Sequence, residues 1–386
     1  MPARGNTRAI NCNRHHSSPR PVPDNPAQHQ PLNLHEYEAA AHTRLPRMVF
    51  DYYAGGANDE TLLHETRAAW DAIRVRYRVM RDCSTCSLTT SILGTSLDWP
   101  VLIAPMALQQ MAHPDGELAT VEGANRSSTT MIVSTLSTIE IEKLAAASQQ
   151  PLWFQLYIEK DRSASKALVE RAERAGCKAL VLTVDSPVLG RRERDVRNGF
   201  HLPKGLSTPH VRIASRSTLA EHEVMSSALA SYVATHWDNS ISWRDLEWLQ
   251  SITKLPVLVK GVVRGDDALL ALEHGAAGVI VSNHGGRQLD AAVTTARALP
   301  EVADAMAGRG ALLVDGGIRR GTDVLKALAL GAQAVLLGRP VLWGLGVNGA
   351  DGVAHVLQLL RDECELAMAL SGCRSVDEVT GDLLSV

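Results

Sequence analysis

A series of eight short apolar runs, each followed by a helix-like stretch, constrains the fold of this chain more than any other feature. The runs occupy residues 101–104, 131–134, 152–156, 179–184, 256–260, 279–282, 311–315 and 334–337. Strands that alternate with amphipathic helices predict a parallel sheet, and eight such units predict a closed (β/α)8 barrel. We therefore expect an α/β fold of the TIM-barrel type.

A doubly wound sheet is the alternative for an alternating pattern of this kind. Such a sheet usually binds its nucleotide through a glycine-rich turn after the first strand. Here the first run is followed by PMALQQ at residues 105–110, which contains no G-x-G-x-x-G sequence. The barrel is therefore the favoured fold.

Other stretches flank or interrupt the repeating pattern. Residues 34–54 predict two helices that are broken near Pro46 and end at Gly55 and Gly56. Roughly 70 residues separate the fourth and fifth runs, and they include the polar stretch 206–223, which predicts a mobile insertion over the barrel mouth. A long helix is expected over residues 353–370, followed by a short tail from residue 376.

The N-terminal stretch has a different composition from the rest. Arg4, Arg8, Arg14 and Arg20 precede the first acidic residue, Asp24, in a polar and proline-rich context that cannot form a core. Either a disordered basic tail or an organelle transit peptide has this composition. We expect residues 1–33 to be such a tail and residues 34–386 to form one domain. The expected location is cytoplasmic or mitochondrial, since the C-terminus is not the peroxisomal Ser-Lys-Leu signal.

Composition excludes several classes of partner. The formal net charge is −3, so no overall positive field favours nucleic acid. No run approaches the ~18 apolar residues of a membrane-spanning helix, so we expect no membrane association. Cys83 and Cys86 have the spacing of a redox or zinc motif, but no second pair completes a metal site, and we interpret them as ordinary thiols.

Chemically capable residues stand where the apolar runs end. In a barrel, these ends form the C-terminal face that carries the active site. Polar groups beside buried strands are costly unless they bind something. The residues at or just after the run ends are Met106, Ala107, Ser134, Gln155, Tyr157, Thr183, Asp185, Arg192, Lys260, Ser282, His284, Arg287, Asp315, Gly316, Gly317, Arg319, Gly338 and Arg339.

The sequence SNHGGRQLD, after the sixth run, combines a base with a cation. His284 can accept a proton at neutral pH, and Arg287 can hold a carboxylate with a two-point fork. The two glycines between them allow a sharp turn. By itself, this motif is equally consistent with a structural loop histidine beside a surface arginine; its position at a strand end favours a catalytic site.

The ends of the last two runs favour a phosphate. The sequences DGGIRRG and GRP combine glycines and arginines with the start of a helix, where barrels commonly hold phosphate. Lys260 needs an anionic partner if it is buried. Ser134, Gln155 and Thr183 suit the edge of a heteroaromatic ring. Flavin mononucleotide (FMN) is the simplest cofactor with these properties; pyridoxal phosphate, which would use the lysine as a Schiff base, is less favoured.

Residues 34–376 resemble the FMN-dependent L-2-hydroxy acid oxidases and dehydrogenases. The resemblance rests on FDYYAGGANDE, IAPMALQQMAHPDGE, FQLY, LTVDSPVLGRRERDVRN, LVKGV, SNHGGRQLD, DGGIRRGTDVLKALALGA and GRP. It implies oxidation of a small L-2-hydroxy acid to a 2-oxo acid, with electrons passed through FMN. It also implies a homotetramer.

The resemblance implies a role for each candidate residue. His284 would be the base and Asp185 would orient it, while Tyr52, Arg192 and Arg287 would bind the substrate carboxylate and Tyr157 the hydroxyl. Lys260 would stabilise the reduced flavin. The remaining cofactor contacts would come from Met106, Ala107, Ser134, Gln155, Tyr157, Thr183, Ser282, Asp315, Gly316, Gly317, Arg319, Gly338 and Arg339.

Three positions depart from patterns within the family. Met106 and Leu136 stand where plant-type glycolate oxidases usually carry Thr and Trp, and Ala107 stands where mandelate dehydrogenases carry Gly. This pattern resembles lactate-oxidising relatives of cyanobacterial and algal type. We therefore expect an oxidase that prefers L-lactate to glycolate and reduces O2 to hydrogen peroxide. The alternatives are a glycolate oxidase or a dehydrogenase with another electron acceptor.

Overall fold

In a computed structural model of the protein, which describes residues 30–211, 232–233 and 235–385, helices lead into the barrel. They are α1 (Leu34–Arg44), α2 (Arg47–Ala54) and α3 (Thr61–Ala72). The Asn33 side chain caps α1 by accepting from the Glu36 amide, and Pro46 directly precedes α2. Gly55 is extended and ends α2, so the two helices broken near Pro46 are confirmed.

Short strands follow these helices. They are β1 (Arg74–Val75) and the antiparallel hairpin of β2 (Thr90–Ile92) and β3 (Thr95–Leu97). β1 pairs antiparallel with the last strand of the chain, Leu384–Ser385. The predicted C-terminal tail therefore ends in a strand that pairs with a segment preceding the barrel, a pairing between distant segments that no local pattern reveals.

The predicted barrel of eight parallel strands is confirmed, and it closes where its last strand pairs with its first. The strands are β4 (Val101–Ile103), β5 (Met131–Val133), β6 (Leu152–Leu156), β7 (Leu180–Thr183), β8 (Val257–Val262), β9 (Gly278–Val281), β10 (Ala311–Val314) and β11 (Ala334–Leu337); the C-terminal strand is β12.

Helices surround the barrel. They are α4 (Gly116–Arg126), α5 (Ile141–Ala147), α6 (Arg162–Arg174), α7 (Glu193–Arg197), α8 (Trp243–Ser251), α9 (Gly265–Glu273), α10 (Thr295–Met306), α11 (Gly321–Ala329) and α12 (Arg339–Ser371). The helix predicted over 353–370 is the second part of α12, which begins directly after β11 and is interrupted by non-helical Asn348 and Gly349. No helix in these described ranges is long and apolar enough to cross a membrane.

Alternate residues of each barrel strand face opposite sides, because side chains in a strand alternate. In β5, Met131 and Val133 belong to the large core between strands and helices, whereas Ile132 belongs to the cluster inside the barrel. Ile92 and Leu97 of the hairpin also join this inner cluster. The hairpin shares a cavity with Gln333, just before β11, so it covers the N-terminal end of the barrel.

Two predicted segments fall largely outside the described residues. These are the N-terminal tail, of which residues 1–29 are not described, and the polar part of the insertion after β7, of which residues 212–231 are not described. The division of the chain at residue 33 and the mobile loop therefore stay predictions. The thiols of Cys83 and Cys86 are both free.

Candidate active site

A single cavity at the C-terminal ends of the strands brings the predicted residues together. Asp185 and Ser282 lie directly behind its wall, where each contacts His284. The predicted residues that line the cavity are Tyr52, Met106, Ala107, Ser134, Gln155, Tyr157, Thr183, Arg192, Lys260, His284, Arg287, Asp315, Gly316, Gly317, Arg319, Gly338 and Arg339.

His284 is paired with Asp185. The Nδ1 atom of His284 lies 2.7 Å from Oδ1 of Asp185, which also accepts a hydrogen bond of 3.0 Å from Ser186 Oγ. Burial by itself raises the pKa of Asp185, but the neighbouring His284 and Lys260 outweigh this effect and the pKa lies below its ordinary value. An ionised Asp185 accepts from Nδ1–H, so the Nε2 atom of His284 keeps its lone pair.

The imidazole of His284 favours its neutral form near neutral pH. Burial lowers the pKa of His284 below 6.5, and the charges of Lys260 and Arg192 lower it further, whereas Asp185 opposes the change. Once a proton arrives at the imidazole, the same carboxylate stabilises the imidazolium. The arrangement fits a general base that must accept a proton near neutral pH.

The backbone at His284 is unusual. His284 has φ of 56°, and Gly285 and Gly286 have φ of 65° and 73°, so three successive residues are left-handed. A histidine in this region is uncommon, and such strain clusters at functional sites. A Cβ on Gly285 would lie 2.8 Å from Nη1 of Arg339, so the glycine allows the loop to approach that guanidinium.

Two arginines, Arg192 and Arg287, lie close together in the cavity of His284, and the nearby carboxyl of Asp195 acts on both without forming a salt bridge with either. Arg287 donates to the backbone oxygens of Tyr52 (2.6 Å) and Gly55 (2.9 Å), and its guanidinium lies 5.1 Å from the centre of the Tyr52 ring. Burial and the neighbouring Arg192 lower the pKa of Arg287 to about 10. Within the described ranges, neither arginine forms a salt bridge. Two adjacent, partly buried cations without a salt bridge favour the binding of an anion.

Lys260 is buried at the end of a strand and is fully paired. Its Nζ donates to Ser282 Oγ at 2.7 Å and lies 3.0 Å from Asp315 Oδ2. Burial lowers the pKa of Lys260, but Asp315 and Asp185 more than compensate, so the pKa is raised and the ammonium is retained. Ser282 Oγ also accepts from the His284 amide, which ties the lysine and the base together.

Polar atoms at the ends of the neighbouring strands lack partners among the described residues. Gln155 Nε2 and Thr183 Oγ1 are buried and, in the part of the chain that the structure describes, unpartnered, as is Asp315 Oδ1. The Gln155 carbonyl is already held by the amide of Thr135 at 3.1 Å. Buried polar atoms without partners are costly, so this wall fits a ligand that carries complementary donors and acceptors, such as the ring edge of a flavin.

A second pair of arginines, Arg319 and Arg339, lines the same cavity, and Arg339 donates to the Gly55 oxygen at 3.2 Å, the oxygen that also accepts from Arg287. Burial and the neighbouring Arg287 and Arg319 lower the pKa of Arg339 to about 9. Burial also lowers the pKa of Arg319, whose nearest carboxylate, Glu38, lies 3.9 Å from its Nε. Arg339 begins α12, so the partial positive charge of a helix N-terminus adds to these cations. The residues present therefore fit the phosphate of FMN.

Several residues in or behind the cavity wall were missed by sequence reasoning. Tyr53 donates to the Leu108 oxygen at 2.6 Å, and Leu189 and Trp237 complete the wall beside Leu136. Ser186 bonds to Asp185 behind the wall. The doublet YY and the polar residue after Asp185 could have indicated Tyr53 and Ser186, but Trp237 follows an insertion in which no regular pattern exists.

Comparison with known proteins agrees with this geometry. The FMN-dependent dehydrogenase family matches residues 41–386, and the chain belongs to that family, with FMN as its cofactor. It is 52% identical over 358 residues to L-lactate oxidase of Nostoc sp. (strain PCC 7120), covering 92% of this chain and 98% of that protein. It is 51% identical over 348 residues to glycolate oxidase of Spinacia oleracea, covering 90% and 94%.

Solved structures agree with the fold as well. A crystal structure of mandelate oxidase with (S)-4-hydroxymandelic acid superposes with a TM-score of 0.87 at 42% identity, covering 92% of this chain and 98% of that chain. The family resemblance seen in the motifs is therefore confirmed across almost the whole domain.

Proposed function

We propose that this protein oxidises small L-2-hydroxy acids to 2-oxo acids with O2 as the electron acceptor, releasing hydrogen peroxide, and that it prefers L-lactate to glycolate. One observation carries the proposal: a histidine with a lowered pKa, held by a carboxylate, lies in the same cavity as two arginines that form no salt bridge among the described residues. A base beside two such cations suits a substrate that has both a carboxylate and a proton to lose.

The substrate-binding residues act first. Arg287 and Arg192 bind the carboxylate, because a planar guanidinium donates to both oxygens of a carboxylate at once. Tyr52 lies against Arg287 and adds a hydroxyl at this end of the cavity. Burial raises the pKa of Tyr157, so its hydroxyl stays protonated and can donate to the substrate hydroxyl. Together these contacts orient the α-carbon.

His284 then accepts the proton at Nε2, because Nδ1 is engaged by Asp185. The developing imidazolium is stabilised by the adjacent carboxylate, which orients the ring but need not take the proton itself. When bound, FMN would accept the two electrons that leave the α-carbon. Lys260 provides a fixed positive charge on the same wall, which stabilises negative charge that develops there.

The cofactor is held by two kinds of contact. The ring edge would be bound by Gln155, Thr183, Ser134 and the backbone at Met106 and Ala107, whose side chains also line the cavity. Arg319 and Arg339 would bind the phosphate with Gly317 and Gly338, and Asp315 and Gly316, which line the same cavity, would hold the ribityl chain. Ser282 acts indirectly, by positioning Lys260 and His284.

The apolar wall supports L-lactate as the preferred substrate. Leu136 is buried in a cluster with Trp237, and Tyr157 and Leu189 pack against it. A methyl group gains from such a surface, whereas glycolate has no side chain to place there. The similarity to an L-lactate oxidase points the same way. The homotetramer expected from the family stays a proposal, which size-exclusion chromatography with light scattering would test.

A substrate panel tests the proposal. The purified yellow protein would be given L-lactate, D-lactate, glycolate and mandelate in air, with peroxide and dye reduction followed in parallel. We expect peroxide with L-lactate, slower turnover of glycolate and none with D-lactate. Dye reduction without peroxide would establish the dehydrogenase alternative, and faster turnover of glycolate would establish a glycolate oxidase.

A further inference from the structure

A tryptophan from the region after the insertion reaches the substrate end of the cavity. Trp237 is buried, and its ring stacks on Tyr157 with centroids 3.8 Å apart and planes 20° apart. Both rings line the cavity that contains His284. Trp237 also belongs to a small apolar cluster with Leu136, the residue that occupies the position of a tryptophan in plant-type glycolate oxidases.

The backbone around Trp237 is fixed to the barrel. Residues 237 and 159 form an isolated bridge, and the amide of Asp238 donates to the Ile158 oxygen at 3.0 Å. The amide of Lys160 donates to the His236 oxygen at 2.8 Å. These bonds attach the segment to the loop after β6, which carries Tyr157. The indole is therefore held in place by an ordered backbone.

The position of Trp237 changes the pocket size that is expected from Leu136. A leucine in place of a tryptophan would open the pocket to larger substrate side chains. Trp237 instead places an indole beside Leu136, from a segment remote in sequence, and so refills the space.

We propose that Trp237 determines substrate size: its indole closes the side-chain end of the cavity, so that the methyl of L-lactate fits and long or aromatic side chains are excluded. The proposal rests on the proposed oxidation of 2-hydroxy acids for its substrate class. The steric claim itself concerns only the volume between Leu136, Tyr157 and Trp237.

Kinetic selectivity tests the proposal in the holoenzyme. The ratio of kcat/KM for L-2-hydroxyoctanoate to that for L-lactate would be measured for the wild type, Trp237→Ala and Trp237→Phe. We expect Trp237→Ala to raise this ratio by about tenfold or more, since a pocket discriminates by the apolar volume it offers. Trp237→Phe keeps most of the ring and should change the ratio by less than about threefold.

A matched control separates pocket volume from general packing. Trp243, the first residue of α8, stacks on His274 and does not line the cavity. Trp243→Ala therefore removes a tryptophan side chain that lies outside the pocket. We expect it to leave the ratio unchanged. If Trp237→Ala fails to fold, Trp237→Leu removes less volume and should raise the ratio by a smaller factor. An unchanged ratio in a folded, flavin-loaded Trp237→Ala or Trp237→Leu would overturn the proposal.

A binding measurement keeps this test independent of turnover. Flavin absorbance would be titrated with pyruvate and with 2-oxooctanoate, which probe the same space without reaction. We expect the wild type to bind pyruvate more tightly and Trp237→Ala to lose that preference. Equal affinities in the wild type would contradict the size limit, even if L-lactate is oxidised. Conversely, a preference for pyruvate without oxidation of any hydroxy acid would support the size limit and refute the proposed function.

Discussion

The two ends of the barrel are built from the same strands but differ in chemistry. At the N-terminal end, apolar side chains such as Ile132 and Leu313 fill the interior together with Ile92 of the hairpin. At the C-terminal end, the strands lead into Lys260, His284 and buried polar atoms without partners. The N-terminal end gains stability from apolar burial, whereas the C-terminal end keeps polar groups that only a ligand would satisfy.

The difference shows how stability and function are separated along each strand. In β5, Ile132 supports the interior, and Ser134, two residues further, faces the cavity. Substitutions at the N-terminal end should therefore change the free energy of unfolding, and those at the C-terminal end should change the rate. Each prediction below tests this separation at one position.

The largest effect is expected for His284→Ala. Removing the base should lower kcat by about 10³- to 10⁴-fold, because among the described residues that line the cavity His284 is the one histidine. The flavin spectrum and the Tm should change little, since the backbone loop is retained. Stopped-flow reduction by L-lactate would measure the loss; near-normal reduction would show that another group accepts the proton.

Arg287→Lys should lower kcat/KM for L-lactate by about 10²-fold. The lysine keeps a positive charge but cannot donate to both carboxylate oxygens, and the bonds to Tyr52 and Gly55 are lost. Arg264→Lys is the control, because Arg264 is exposed and pairs with Asp266. Similar losses in both variants would argue against a carboxylate site at Arg287.

Ile132→Ala tests the opposite end of the barrel. Ile132 is fully buried inside the barrel, so its truncation should lower the free energy of unfolding by about 3 kcal/mol. The kcat of the folded enzyme should stay within about twofold of the wild type. Urea denaturation and steady-state kinetics would provide the two values. A large loss of kcat at unchanged stability would contradict the separation.

Two glycines with positive φ allow a matched comparison. Gly261, at the mouth, has φ of 108°, and an added Cβ would lie 2.6 Å from the Cβ of Asp185. Gly261→Ala should displace Asp185 and lower kcat by about 10- to 100-fold. Gly94, in the hairpin, has φ of 75° and open space around it, so Gly94→Ala should cost about 1 kcal/mol of stability without affecting kcat.

The smallest effect is expected from pH. Because the pKa of His284 is lowered below 6.5, the base is already neutral at pH 7. kcat/KM should therefore change by less than about twofold between pH 7 and 8, and should fall as the pH drops through the lowered pKa. Kinetics of L-lactate oxidation from pH 5 to 8 would show this. A fall that begins above pH 7 would mean that His284 is protonated in the free enzyme.

Much of the site could be predicted from sequence, because a parallel barrel brings every strand end to one face. Once the eight runs were recognised, His284 and Arg319 had to share that face, although 35 positions separate 284 from 319. The pairing of His284 with Asp185 came instead from family resemblance, as distances between loops are not encoded in periodicity. Ser186 was missed for the same reason.

The order of the strands and the residue types at their ends could be predicted from the sequence, and with them the cofactor class. The reason is that burial periodicity and side-chain chemistry are local properties of the sequence. The tertiary structure alone reveals that Trp237 packs beside Leu136 and that Arg192 lies close to Arg287. It also decided that β12 pairs with β1. These contacts join segments distant in sequence, and their energies depend on packing that no local pattern records.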